Sequence, residues 1–340
     1  MKKQIIIISA SLSLALGAAQ AADVTDYVPQ ELDMGSLPAV SAINGKIEGG
    51  YVHYDLNTPF VDSANGYLVQ GAVSVPLGHR FGLQVDAGYQ KTDIDLTSPP
   101  FPPSTGIDVS STGIGGHLFW RDPSMGLIGA YAHYEKHQFD LTGPFVPVVP
   151  SLDVTNIRYG AEGEYYHNDW TVKAFAGGDH LDFGGIVDQT YFAGQASVGF
   201  YINENALVTV GVDHSFEQTS AAVGLEAMWD TGNQIAPVFY ANANFGENIT
   251  SFKGGVRVMF GPSSKSLKRR HREDDPEIFL FNNFSQLGSC VGNTTGFQPP
   301  KPPRPTAVAA QRTVTASMEG PGGPEIRCEP RPMMRYTDSR

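Results

Sequence analysis

Phe81-Gly82-Leu83-Gln84-Val85-Asp86-Ala87-Gly88-Tyr89-Gln90 alternates with a period of two. Its odd positions are aromatic, aliphatic or alanine, and its even positions are glycine, amide or carboxylate. Extended backbone turns successive side chains to opposite faces, so this segment has one apolar face and one small, polar face. The pattern recurs downstream. Val208, Val210 and Val212 oppose Thr209, Gly211 and Asp213, and Ala221, Val223, Leu225, Ala227 and Trp229 oppose Ala222, Gly224, Glu226 and Met228. Twelve such segments fall at 44–54, 66–76, 80–92, 108–120, 126–138, 154–166, 169–178, 190–201, 205–214, 219–229, 236–245 and 250–260. Turn chemistry separates them. An ordinary globular strand is about 5–6 residues long, whereas a tilted strand that crosses a bilayer needs about 9–11. The lengths here match the second.

Connection lengths alternate as well. Short turns contain Pro76-Leu77-Gly78, Arg121-Asp122-Pro123, His167-Asn168-Asp169, Asn203-Glu204-Asn205 and Thr231-Gly232-Asn233, while longer connections span 55–65, 93–107, 139–153 and 179–189. By the same parity Phe81, Trp120, Tyr165, Trp170, Phe200, Trp229 and Phe260 face outward, all at short-turn ends. Amphipathic rings favour the membrane–water boundary, so they predict an aromatic girdle. Tyr51, Tyr89, Tyr134 and Phe252 are candidates for the opposite girdle. The expected fold is all-β: an antiparallel transmembrane β-barrel of twelve strands over 42–260, with short periplasmic turns and longer outer loops. The competing fold, a secreted β-sandwich, requires the valine faces to be buried in a protein core.

The termini differ from the barrel. Lys2 and Lys3, the apolar run from Ile5 to Leu16 and the small-x-small triplet Ala19-Gln20-Ala21 predict a cleaved signal peptide over 1–21. Residues 22–41 are expected to be a periplasmic segment. From Asp23 to Phe260 there are 9 Lys and Arg against 27 Asp and Glu, whereas 261–340 holds 12 basic and 8 acidic residues. An acidic barrel repels phosphates and argues against a nucleic-acid partner. The tail carries Lys268-Arg269-Arg270-His271-Arg272, then Glu273-Asp274-Asp275, and the proline-rich run Gln298-Pro299-Pro300-Lys301-Pro302-Pro303-Arg304-Pro305. This composition predicts a mostly disordered periplasmic extension over 261–340, with the basic run a solvated linker. Ile278 to Phe284 is an apolar stretch able to dock. Cys290 and Cys328, the only cysteines, are able to form a disulfide in an oxidising periplasm.

The last barrel segment, Ser251-Phe252-Lys253-Gly254-Gly255-Val256-Arg257-Val258-Met259-Phe260, resembles the terminal strand of bacterial outer-membrane proteins. That family's signal is an aromatic final residue preceded by alternating apolar positions, and Val256, Val258 and Phe260 match it. The resemblance is to porin-like barrels of Gram-negative bacteria. It implies an outer-membrane location, recognition by the barrel-assembly machinery, and contact with outer-membrane lipids and lipopolysaccharide. Phe260 departs from the pattern because 80 residues follow it.

The inward face holds the candidate site. Predicted lumen-lining residues are Lys46, Glu48, Asp86, His117, Glu135, Arg158, Glu162, Glu164, Lys173, Asp213, Glu226, Lys253 and Arg257. They serve either to line a water-filled pore and set ion preference or to pair and fill the lumen. The tight turn between the sixth and seventh strands predicts Glu162 beside Lys173, and closure of the barrel predicts Lys253 and Arg257 near Glu48. Small inward residues such as Gly50, Gly113, Gly115, Gly160 and Gly177 predict room for a water-filled passage, with the loop Ser98–Pro103 a candidate constriction. A porin-like channel for small polar solutes or ions is the leading functional expectation, with a mild cation preference from the acidic excess. The alternatives are a structural or adhesive barrel working through acidic outer loops (Asp55, Asp62, Asp93, Asp140, Asp182) and a lipid-modifying enzyme. No triad, P-loop, zinc or cofactor motif is present, so no catalytic residue, metal or cofactor is expected.

Overall fold

The computed structural model describes residues 37–58, 61–96, 105–143, 151–184, 187–247, 249–262 and 264–287. The predicted signal peptide, the proline loop at 98–103, both cysteines and the proline-rich run lie outside the described residues. Twelve strands follow in chain order: β1 (Asn44–Thr58), β2 (Val61–Pro76), β3 (Phe81–Leu96), β4 (Gly106–Asp122), β5 (Gly126–Thr142), β6 (Leu152–His167), β7 (Trp170–Phe183), β8 (Val187–Asn203), β9 (Ala206–Ser215), β10 (Gln218–Met228), β11 (Ile235–Gly246) and β12 (Ile249–Phe260). Each pairs antiparallel with its sequence neighbours, and β1 pairs with β12, so the sheet closes into a barrel with no free edge.

The strands are longer than the sequence pattern marked. Most of the excess is at the loop end, where 55–65 and 179–189 are largely strand rather than connection. Alternation continues above the bilayer because hairpins there still pair, as His180↔Thr190 does. The sheet faces follow the expected parity. Asp86 and Gln84 are fully buried, whereas Val85 is 47% exposed and Ile114 56%. Val210 and Val212 are both more than half exposed to the outside, which is incompatible with a β-sandwich core. Burying this face in hydrocarbon is what stabilises it, and a charge placed there costs about 2–4 kcal/mol near the midplane.

The outward aromatics cluster at the short-turn rim. Phe81 and Trp120 are cross-strand partners, and the rings of Trp170 and Phe200 lie 4.6 Å apart. Tyr165 and Trp229 are exposed there as well, and Phe260 ends β12 opposite Gly45 and Ile235. At the other rim Tyr51, Tyr134 and Phe252 face outward, joined by Tyr67, Phe192 and Phe245.

The residues flanking the barrel are not solvated linkers. Ala39 and Val40 are fully buried at the short-turn end, where the Ala39 amide donates to the His79 carbonyl at 2.8 Å. After Phe260 the chain turns back. Helix α1 (Leu267–Glu273) is capped by the Ser266 hydroxyl, which accepts from the Arg269 amide. Residues 274–287 then run inside the barrel. This overturns the expected disordered extension over 261–287; the remainder, 288–340, lies outside the described residues.

Candidate functional site: a charged lumen filled by a C-terminal plug

All thirteen predicted lumen residues lie on the inward side of their strands, and the register places them in three groups. The first centres on Arg257, which donates to Glu48 at 2.7 Å and Glu226 at 2.8 Å. Gln70 donates to Glu48 from β2. Lys173 binds Glu277 of the plug at 3.0 Å and reaches Glu164 at 3.9 Å. The expected Glu162–Lys173 neighbour pair does not form. The two-residue turn at 168–169 sets the register as Glu164↔Lys173 and Glu162↔Phe175, two residues from the expected pairing.

The second group is a fully buried chain. His117 bridges Asp86 at 3.0 Å and Glu162 at 2.9 Å. Gln84 donates to Asp86 at 2.7 Å, and Ser74 donates to Gln84 at 2.9 Å. The third group sits nearer the loop end. Arg158 makes a two-pronged contact with Asp179, both arms at 2.8 Å, and Ser215 adds a third donor to the same carboxylate. Glu135 lies 3.5 Å from both His133 and His137. Such buried charges persist only where partners offset their desolvation.

The remaining partners come from the plug. The backbone amide of Phe281 donates to Glu135 at 2.6 Å, Gln286 donates to Asp213 at 2.9 Å, Lys253 reaches Asn282 at 3.4 Å, and Lys46 donates to the Pro276 carbonyl. Apolar plug residues complete the seal. Ile278, Leu280, Phe281 and Phe284 are buried against Val52, Tyr54, Ala64, Leu68, Ala72, Val109 and Ile249. Phe279 packs edge-on to Tyr131 with ring centroids 5.0 Å apart. Glycines make space for this segment rather than for water. A Cβ on Gly88 would lie 2.8 Å from the Phe281 ring, and one on Gly113 would lie 3.0 Å from Leu280 Cδ2.

Helix α1 forms the base. Lys268 pairs with Asp169 at 2.9 Å and Glu204 at 3.0 Å across two short turns. Burial pulls its pKa down, but the hydrogen bonds to Asp169 and Glu204 raise it overall. Arg272 donates to the Trp170 carbonyl at 2.7 Å, and Arg121 donates to the Asp274 carbonyl at 2.8 Å.

The plug does not fill the whole bore. A cavity of about 140 Å³ remains between it and the inner wall of β8–β12, lined by Ser197, Thr209, Gly211, Asn242, Asn244 and Ser251 together with charged side chains. That is space for several waters. Lys46, Lys173, Lys253 and Arg257 line it alongside Glu48, Asp213, Glu226 and Glu277, so cations and carboxylates balance. The acidic excess of the barrel lies elsewhere. Among the described residues, no group of three or more His, Cys, Asp or Glu is placed to hold a metal ion.

No family model and no curated protein matches the chain. Among solved structures, the translocator domain of the autotransporter NalP from Neisseria meningitidis is similar with a TM-score of 0.53 at 12% identity, covering 76% of this chain and 96% of that one. The fold is that of an outer-membrane β-barrel. An outer-membrane channel from Pseudomonas putida F1 matches this barrel with a TM-score of 0.45 at 10% identity, covering 69% of this chain and 99% of that one. The β domain of a Bordetella autotransporter gives 0.44 at 12% identity, covering 65% and 100%.

Proposed function

We propose that this barrel is a narrow outer-membrane channel for small polar solutes or ions, restricted by its own C-terminal segment. One observation carries the reading: the polar cavity beside the plug, with serine, threonine and asparagine on its wall and lysine and arginine side chains facing glutamate and aspartate. Charges of balanced sign favour weak ion discrimination, so any cation preference arises from the acidic outer loops. Export by the 1–21 signal peptide, insertion guided by the β12 terminal signal, and contact of the outer rim with lipopolysaccharide belong to the same proposal. A catalytic role is not part of it. The Asp86–His117–Glu162 chain is buried beside Tyr131 and Phe279, which supports a structural role for it.

Planar-bilayer recording of the purified full-length protein tests this. Small, resolvable conductance steps are expected, and Asn242→Trp, which fills the cavity, reduces them. Silence from barrels that show the heat-dependent gel mobility of a folded β-barrel refutes the channel. It leaves the second reading, a structural barrel whose lumen is filled by ion pairs, which the buried Arg158–Asp179 pair favours.

A further inference from the structure

We propose that the barrel is a conduit for its own C-terminus: the chain climbs through the lumen and leaves on the long-loop side, presenting the residues after Leu287 at the cell surface. The contacts of 267–287 climb without reversal. Leu267 and Lys268 bind Asn205 and Glu204 in the β8–β9 turn. Glu277 pairs with Lys173, three residues into β7. Phe279 packs on His117, Tyr131 and Phe175 at mid-height. Phe284 lies against Tyr54 and His137 higher up. Leu287, fully buried, packs with Val154, Leu181, Tyr191 and Phe216. Phe216 sits in the β9–β10 hairpin at the far rim. The segment runs without regular structure over 275–279 and winds into a turn and a short helical end over 280–287.

The end at which the chain emerges is set by the hairpins. The two longest connections, β3–β4 and β5–β6, are at that rim, and β1 begins and β12 ends at the other. In outer-membrane barrels the longer loops face outward. The tail is therefore delivered outside the cell, not into the periplasm as its composition alone suggested. From 288 onward it carries 7 Lys and Arg against 4 Asp and Glu, so it meets the anionic outer leaflet with a net positive charge. This proposal does not depend on solute passage: a silent barrel still displays its tail.

The test uses the chain's own cysteines, Cys290 and Cys328, which both follow the plug. Intact cells expressing the full chain are mildly reduced and treated with a maleimide carried on a polymer too large to cross the outer membrane. An epitope appended after Arg340 is read in parallel by antibody. Labelling and antibody binding on intact cells, equal to those after permeabilisation, are expected. A signal that appears only after the outer membrane is permeabilised overturns the proposal. A second epitope, inserted in the 144–150 connection, must be accessible on intact cells; if it is not, the assumed orientation fails and the proposal fails with it.

Discussion

Leu280→Ala isolates the plug from the barrel. Leu280 is 1% exposed and fills space above Gly113, whose absent side chain gives the lumen wall nothing with which to close a gap. A buried Leu→Ala change costs about 2–5 kcal/mol, more where the site cannot collapse, so the upper half of that range applies. The loss falls on the equilibrium between docked and undocked plug, because no strand hydrogen bond is touched. At about 1.4 kcal/mol per tenfold, even the lower bound of about 2 kcal/mol raises the undocked fraction roughly 30-fold. In planar bilayers this is read as more frequent visits to a larger conductance, while heat-dependent gel mobility stays unchanged. Open-state occupancy equal to wild type would refute the claim that apolar packing of 278–287 restricts the lumen. Loss of the folded band would show that the plug is part of the barrel's own core.

Two substitutions extend the same reasoning. Gly113→Leu forces a side chain into the space of Leu280 and costs about 1–3 kcal/mol of overpacking, so it too increases the open fraction. Arg158→Ala leaves Asp179 buried and unpaired, costs about 3–5 kcal/mol, and lowers the urea midpoint of the barrel itself.

The barrel was legible because lipid imposes a strict rule on every strand: Val85, Ile114 and Val210 have to point outward, and a period of two reports it. The aromatic rim was legible for the same reason. Which charges meet was less so, because a two-residue shift at the 168–169 turn exchanges Glu162 for Glu164 opposite Lys173. The plug was missed because Lys268–Arg272 reads as solvated when its partners, Asp169, Glu204 and the Trp170 carbonyl, are far away in sequence. One clue was available. Val52, Tyr54, Leu68, Val109, Tyr131 and Phe175 are large apolar residues on the inward face. A water-filled bore has no use for them, and Ile278-Phe279-Leu280-Phe281 was the unclaimed apolar run. The inward glycines were ambiguous alone, since space for water and space for a chain look alike.

The path of residues 267–287 also constrains how the molecule is made. Fifty-three residues follow Leu287, and pushing so long an end through a bore already lined with side chains is a slow event of the kind folded chains avoid. Sealing the β1–β12 seam around a strand of polypeptide already lying in the trough needs no such passage. Closure is then the last step of biogenesis, and the terminal segment is a guest enclosed by the ring rather than a stopper inserted afterwards.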